Sequence, residues 1–195
     1  MRLFVAVEVA EPVIDALMRV VDGLRRRAAH LAPRAKMTWA TAERLHVTLS
    51  FIGQTPEDRA AAVTTALGTS LAVAAFDLVV AGCGAFPDRG VPKVLWAGVE
   101  SGRAHLIALQ HMVAERLAGL GIEPEKRAYQ PHLTLARVRD AAGLRSAAIL
   151  EGFTTVHAGS SPVRAVTLFE SRLSPKGPTY VPLHRTALTG PSSTG

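Results

Sequence analysis

Cysteine is almost missing from this chain of 195 residues: the single thiol is Cys83. One cysteine excludes an internal disulfide framework and any metal site built on several thiolates. It fits a reducing cytoplasm. Long apolar runs are missing too, and no stretch approaches the roughly 20 residues of a membrane span. The N-terminal run Leu3-Phe4-Val5-Ala6-Val7 stops at Glu8, too short for the apolar core of a signal peptide. Negative charge is scarce as well. Sixteen acids face 22 Lys and Arg, for a formal charge of +6 and a pI of about 10.2. Such an excess suits an anionic partner such as RNA or a nucleotide, although an arginine-rich composition alone produces the same balance. No linker composition divides the chain.

What is present is a repeat. Leu45-His46-Val47-Thr48-Leu49-Ser50 returns as Pro131-His132-Leu133-Thr134-Leu135-Ala136-Arg137, with the histidines 86 positions apart. In an extended strand successive side chains alternate between faces. His46 and Thr48 then share one face, as do His132 and Thr134. The intervening Val47, Leu49, Leu133 and Leu135 turn to a core. If the two strands lie side by side, two imidazoles face one cavity.

The elements between these motifs alternate. Arg2 to Val9 reads as a strand and residues 12–29 as an amphipathic helix, with Val13, Leu17, Val20, Val21 and Leu24 at helical spacing. Arg25-Arg26-Arg27 at its end reads as a solvated helix terminus. Pro33 to Lys36 is a basic loop. After the first motif strand, Thr55-Pro56-Glu57-Asp58 looks like a capped helix start, running to about Ala72. Phe76 to Cys83 is a strand broken by Gly82 and Gly84, followed by a loop to Pro92 and a strand at Val94 to Val99. A second long helix spans Arg103 to Gly119. The second motif strand covers Tyr129 to Val138, and Asp140 to Leu150 is weakly helical. Val163 to Leu173 and Tyr180 to Leu188 are strands joined by a turn at Ser174–Pro178. About seven strands and three or four helices give an α/β (α+β) chain. Two pseudo-symmetric lobes are expected, each an antiparallel-rich sheet backed by helices, with the two His-x-Thr motifs in a central cleft. Residues 1–188 form this single bilobal domain, and 189–195 a flexible C-terminal tail.

Two imidazoles in one cleft suit concerted acid–base chemistry. One takes a proton from a nucleophile while the other gives one to a leaving group, and histidine does both near neutrality. The paired threonines can donate hydrogen bonds to non-bridging phosphate oxygens. No acid lies at ligand spacing beside either motif, which makes a metal site a weaker reading. His30, His105, His111, His157 and His184 show no such pattern and read as surface or structural residues. Arg137 suits a phosphate, but strict alternation places it opposite His132. It reaches the cleft only through a twist, a bulge or the end of the strand. Trp39 and Tyr129, just before the motifs, can stack on a base or pack against the lobes.

At these residues the sequence resembles the RNA 2′,3′-cyclic phosphodiesterases, also called 2′-5′ RNA ligases, of the two-histidine phosphoesterase superfamily. Arg2–Val7, Leu45–Gly53, Val94–Val99, Pro131–Arg137 and Leu168–Leu173 with Gly177–Tyr180 carry the resemblance, in order along nearly the whole chain. The family implies a bilobal fold with a positively charged cleft and no metal or other cofactor. It implies hydrolysis of terminal 2′,3′-cyclic phosphates to 2′-phosphates, with 2′-5′ ligation as the reverse reaction. His46 would be the proton donor to the 3′ oxygen and His132 the proton acceptor that activates water. Thr48 and Thr134 would bind the phosphate. Gln130 departs from relatives, which often carry a basic or aromatic residue there. The expected partner is RNA ending in a cyclic phosphate, or a small cyclic nucleotide, met in the cytoplasm by a monomer away from membranes. Competing readings are a phosphodiesterase for another cyclic or 2′-5′-linked nucleotide, a non-catalytic RNA-binding module, and a structural domain with core histidines.

Overall fold

The computed structural model describes residues 1–125, 127–174 and 177–189. The first half holds β1 (Arg2–Glu8), α1 (Glu11–Leu31), β2 (Lys36–Trp39), a 3-10 turn (Ala42–Arg44), β3 (His46–Gln54), α2 (Glu57–Ala66) and β4 (Phe76–Phe86). The second holds β5 (Val94–Ser101), α3 (Arg103–Ala118), β6 (His132–Asp140), α4 (Ser146–Leu150), β7 (His157–Val163), β8 (Ala165–Arg172) and β9 (Thr179–Ala187). A strand, a long helix, a motif strand, a short helix and a strand follow one another twice.

The strands join in the order β7-β4-β5-β6-β3-β1-β8-β9, each neighbour antiparallel. The motif strands β3 and β6 are therefore central, with three strands outside each. They pair at Val47 and Leu133. Further along, β2 takes over that edge of β6, from Trp39 opposite Ala136 to Lys36 opposite Asp140. The sheet thus parts beside the two motifs, and the parting opens a cleft between two sheet halves.

The opposite side of the sheet is the core. Val47, Leu49, Leu133 and Leu135 are all buried there. Truncating one such leucine to Ala typically costs about 2–5 kcal/mol. The amphipathic α1 buries Val13, Leu17, Val20, Val21, Leu24 and Ala28. It follows β1 in one half of the sheet but packs against β7 in the other, while α3 follows β5 and packs against β3. Each long helix therefore straps the two halves together.

Several boundaries differ from the sequence expectations. The expected loop from Pro33 ends at Ala35, and Lys36–Trp39, expected as a connection to the first motif, is the short strand β2, formed by pairing with β6 rather than by apolar pattern. Residues 157–163 form β7, which pairs with β4 and lacks a strong alternating pattern. Helix α2 ends at Ala66 rather than near Ala72, because Leu71 bridges to Leu188 and its amide donates to Ala187. Thr55 does not cap α2: Pro56 occupies the cap position, and the Thr55 hydroxyl donates to the Gly53 carbonyl at 3.1 Å. Gly82 and Gly84 do not end β4, which runs on to Phe86. Gly84 leaves room for a neighbour, since a Cβ there would overlap the Trp96 ring. Arg25 and Arg26 of α1 are exposed, as expected of a solvated helix end, and Arg27 is half-buried. Arg25 lies over Trp39, and Arg27 donates to the Ala148 carbonyl and pairs with Glu151. At the chain end, the Thr189 amide donates to Leu71. The rest of the expected tail, and Pro175 and Lys176 of the expected turn, lie outside the described residues.

Candidate active site

His46, Thr48, His132 and Thr134 line one cavity of about 650 Å³, together with Trp39 and Arg137. The convergence follows from register. With Val47 opposite Leu133 in an antiparallel pair, His46 faces Thr134 across the strands and Thr48 faces His132. Each imidazole thus has a hydroxyl from the other motif beside it.

Arg137 arrives on this face through a β-bulge. Adjacent residues Leu95 and Trp96 of β5 pair with Ala136 and Thr134, leaving Leu135 as an extra residue on β6. Leu135 and Ala136 are consecutively buried, so the alternation slips by one and Arg137 returns to the side of His132 and Thr134. The first motif repeats the device. Val5 and Ala6 of β1 pair with Ser50 and Thr48, leaving Leu49 extra. There the residue three places after the threonine is Phe51, which is 52% exposed and also lines the cavity. The two motifs share one backbone irregularity and differ in what it presents: a cation on β6, an aromatic ring on β3.

Both histidines are tethered in the same way. The Nδ1 of His132 lies 2.7 Å from the Gln130 carbonyl oxygen. A carbonyl only accepts, so Nδ1 carries the proton and neutral His132 turns an unprotonated Nε2 outward. Because the backbone of Gln130 makes this contact, its unusual side chain does not disturb it. His46 likewise hydrogen-bonds to the backbone of Arg44, again two residues upstream.

The rings sit in aromatic settings of unequal depth. His46 stacks on Phe4 at 5.0 Å and meets the edge of Tyr180 at 5.2 Å, with Phe169 beyond. His132 meets Phe86 edge-on at 5.1 Å, and Phe86 in turn packs on Trp96. Burial holds the pKa of His46 down at about 4; its backbone hydrogen bond opposes this, and the Arg137 and His132 charges add to it. His132 is also lowered, mainly by burial and further by Arg137. Burial therefore disfavours positive charge on both rings, and an anion between them would reverse that preference. Among the described residues no group of three or more His, Cys, Asp or Glu is placed to hold a metal ion.

A second cavity of about 920 Å³ adjoins the first. It shares Thr48, Phe51, His132, Arg137 and Arg139, and adds Tyr129 and Phe86. Trp39 and Tyr129 thus lie in different arms of the cleft. None of the other five histidines lines either arm. Sequence reasoning missed Phe4, Phe86, Phe169 and Tyr180, which build the histidine environments from four different strands. Spacing within the motifs carries no trace of them. Arg139 was within reach of it, being two positions beyond Arg137 on the same strand. Among the described residues no helix is long and apolar enough to cross a membrane.

The chain is similar to several known proteins along most of its length. The chain is 36% identical over 143 residues to an RNA 2′,3′-cyclic phosphodiesterase of Aeropyrum pernix, covering 73% of this chain and 81% of the relative. It is 32% identical to one from Archaeoglobus fulgidus, covering 92% and 96%. A crystal structure of a Thermus thermophilus protein superposes with a TM-score of 0.78 at 29% identity, covering 97% and 99% of the two chains. E. coli LigT complexed with 3′-AMP gives 0.73 at 26% identity, covering 96% and 98%. Residues 13–174, which carry both His-x-Thr motifs and Arg137, match the sequence profile of one family, and the chain accordingly belongs to the 2′-5′ RNA ligase superfamily.

Proposed function

We propose that this protein hydrolyses RNA 2′,3′-cyclic phosphate termini to 2′-phosphates with a His/His acid–base pair and no metal ion. The observation that carries the reading is the convergence of His46, Thr48, His132 and Thr134 on one cavity beside Arg137. The names of the relatives from Aeropyrum and Archaeoglobus support the same substrate class.

The steps follow from the donors and acceptors available. His132, tethered through Nδ1, takes a proton on Nε2 from water as the water oxygen attacks phosphorus. The P–O3′ bond breaks, and His46 gives its proton to the departing O3′. The product keeps its phosphate on O2′. Thr48 and Thr134 donate to the non-bridging oxygens, and Arg137 supplies a cation where negative charge grows. His46 must be protonated for this role, although burial keeps it neutral in the free cleft. A phosphate seated between the rings stabilises the imidazolium, so substrate binding and proton uptake are coupled. Trp39 and Tyr129 offer stacking faces in the two arms. The reading places a monomeric enzyme in the cytoplasm, acting on RNA ends or small cyclic nucleotides.

The test is direct. Nucleoside 2′,3′-cyclic phosphate is incubated with the protein in excess EDTA, and the product isomer is identified. Formation of the 2′-phosphate supports the reading. A 3′-phosphate product, or activity that needs a divalent ion, would overturn it.

A further inference from the structure

The β8–β9 ribbon outruns its neighbour in the sheet. The pairing of β1 with β8 runs from Ala6 opposite Thr167 to Leu3 opposite Glu170. The pairing of β8 with β9 continues past that point, to Tyr180 opposite Ser171 and Thr179 opposite Arg172. This end of the ribbon overhangs β1 on its own two strands, and a lone two-stranded ribbon is marginal in water. Yet the overhang carries Tyr180, whose ring meets His46 edge-on at 5.2 Å and Phe4 at 4.8 Å. Its support has to come from outside the sheet.

Arg44 supplies that support. It ends the 3-10 turn that leads into β3, two residues before His46. Its Nε donates to the Pro178 carbonyl at 3.0 Å. Gly177 gives the guanidinium its seat: φ there is +106°, and a Cβ would come within 2.5 Å of one terminal nitrogen and 2.8 Å of the other. Arginine brings a planar fork to such a contact, where lysine brings only a point charge. The backbone of the same residue holds the His46 ring by a hydrogen bond. Gln130 stands at the matching place before His132 and tethers that ring through its carbonyl, but Gln130 is exposed. The first motif thus has a support that the second lacks.

We infer that Arg44 is a positioning residue for His46: its backbone tethers the ring, and its side chain pins the Gly177–Tyr180 segment that walls the ring. The inference takes His46 as the proton donor proposed above. Arg44, Pro178 and Tyr180 line the same cavity as His46, so the clamp stands at the site itself. Burial is the main cause of the low pKa of His46, and Tyr180 contributes part of that burial. Loosening the clamp lets water reach the ring and frees it to turn away from the leaving O3′. The charged groups facing His46 are His132 and Arg137 on β6 and Glu8 opposite it on β1, with Arg44 before it. All of them are kept when the clamp is broken at Gly177, so a change at His46 then reports the wall and not the charge.

The experiment titrates the imidazoles by NMR, without substrate, in the unaltered protein and in Arg44→Ala, Arg44→Lys, Gly177→Ala and Arg44→Ala/Gly177→Ala. His46 should titrate about one pH unit or more higher in Arg44→Ala and in Gly177→Ala, while His132 moves little. Arg44→Lys should lie between. The double variant should move His46 no further than the larger single change, because both break one contact. A His46 that moves in Arg44→Ala and not in Gly177→Ala would report lost charge alone and overturn the inference, as would an equal movement of His132. With a nucleoside 2′,3′-cyclic phosphate, Arg44→Ala should lower kcat about tenfold, part of the range for a positioned acid, and leave KM nearly unchanged. An ester with a leaving group of low pKa should lose much less. Equal losses on both esters, or a raised KM at unchanged kcat, would make Arg44 a phosphate contact and overturn the inference. The titration needs no turnover: inactivity of the unaltered protein would end the phosphodiesterase reading, and the titration would still decide whether Arg44 holds the wall.

Discussion

Val47 stands directly opposite Leu133 where the two motif strands meet. Neither side chain has any chemistry, and both are fully buried. The pair nevertheless sets the site, because an antiparallel register centred on it interleaves the motifs. Each histidine gains the threonine of the other strand as its cross-strand neighbour. The bulges at Leu49 and Leu135 lie at equal distances from this centre, so the site has the form of a local two-fold.

In the proposed mechanism the two histidines work as a pair. His46→Ala and His132→Ala should each lower turnover of a cyclic phosphate by roughly 10² to 10⁴-fold. The double variant should lose less than the product of the two, since both act in one transition state. An ester with a leaving group of low pKa needs no proton donor. It should restore turnover to His46→Ala and leave His132→Ala slow. Rescue of the opposite variant would exchange the two roles.

The pH profile should differ between free and bound protein. Burial lowers both histidine pKa values, His46 to about 4. The bell for kcat/KM should therefore centre below the ordinary histidine value of about 6.5. The bell for kcat should lie at higher pH, because the bound phosphate favours imidazolium. Superimposable profiles from steady-state kinetics would remove the proposed coupling of binding to proton uptake.

In the proposed mechanism Arg137 meets the phosphate, and its charge reaches both rings. Arg137→Ala should reduce kcat/KM by about 10 to 100-fold, the range for a lost charge-assisted hydrogen bond of about 1.5–3 kcal/mol. Its charge lowers both histidine pKa values, so removing it should also move the kcat/KM bell to higher pH. A loss of rate without that displacement would mean that Arg137 does not share the cavity with the rings in solution.

Stability should show the same linkage. His46 is held near a pKa of about 4 in the folded protein against about 6.5 unfolded. The unfolded chain binds the extra proton between these values, so stability is whole above pH 6.5 and falls as pH drops toward 4. Thermal unfolding of His46→Gln should be less pH-dependent across that window than thermal unfolding of the unaltered protein.

Gly84 offers a test of the sheet behind His132. An added Cβ would run into the Trp96 ring. Gly84→Ala should cost about 1–3 kcal/mol in chemical denaturation, as overpacking does. Because Trp96 packs on Phe86 and Phe86 on His132, turnover should fall as well. An unchanged unfolding midpoint would show that Trp96 can move aside at no cost.

The motifs were legible because their information is local. A two-residue period puts His and Thr on one face and Val or Leu on the other, and two matching copies announce a shared site. The long helices were legible for the same reason, since α1 repeats its apolar residues at helical spacing. Both β2 and β7 were not. Met37 and Trp39 are too few to mark a strand, and Ser160-Ser161-Pro162 reads as loop. Backbone hydrogen bonds from β6 and β4 make them strands.

Residue order alone marks the side chains that the proposed chemistry uses: two imidazoles and two hydroxyls, each backed by apolar neighbours that a core must bury. Only the tertiary structure decided that Arg137 joins them, because a bulge is a mismatch between two strands and has no signature within one. The same holds for the rings around His46. Phe4, Phe169 and Tyr180 are distant in sequence and meet because β1, β8 and β9 are neighbours in the sheet. Their burial of the imidazole, rather than any residue beside it in the chain, sets its affinity for a proton.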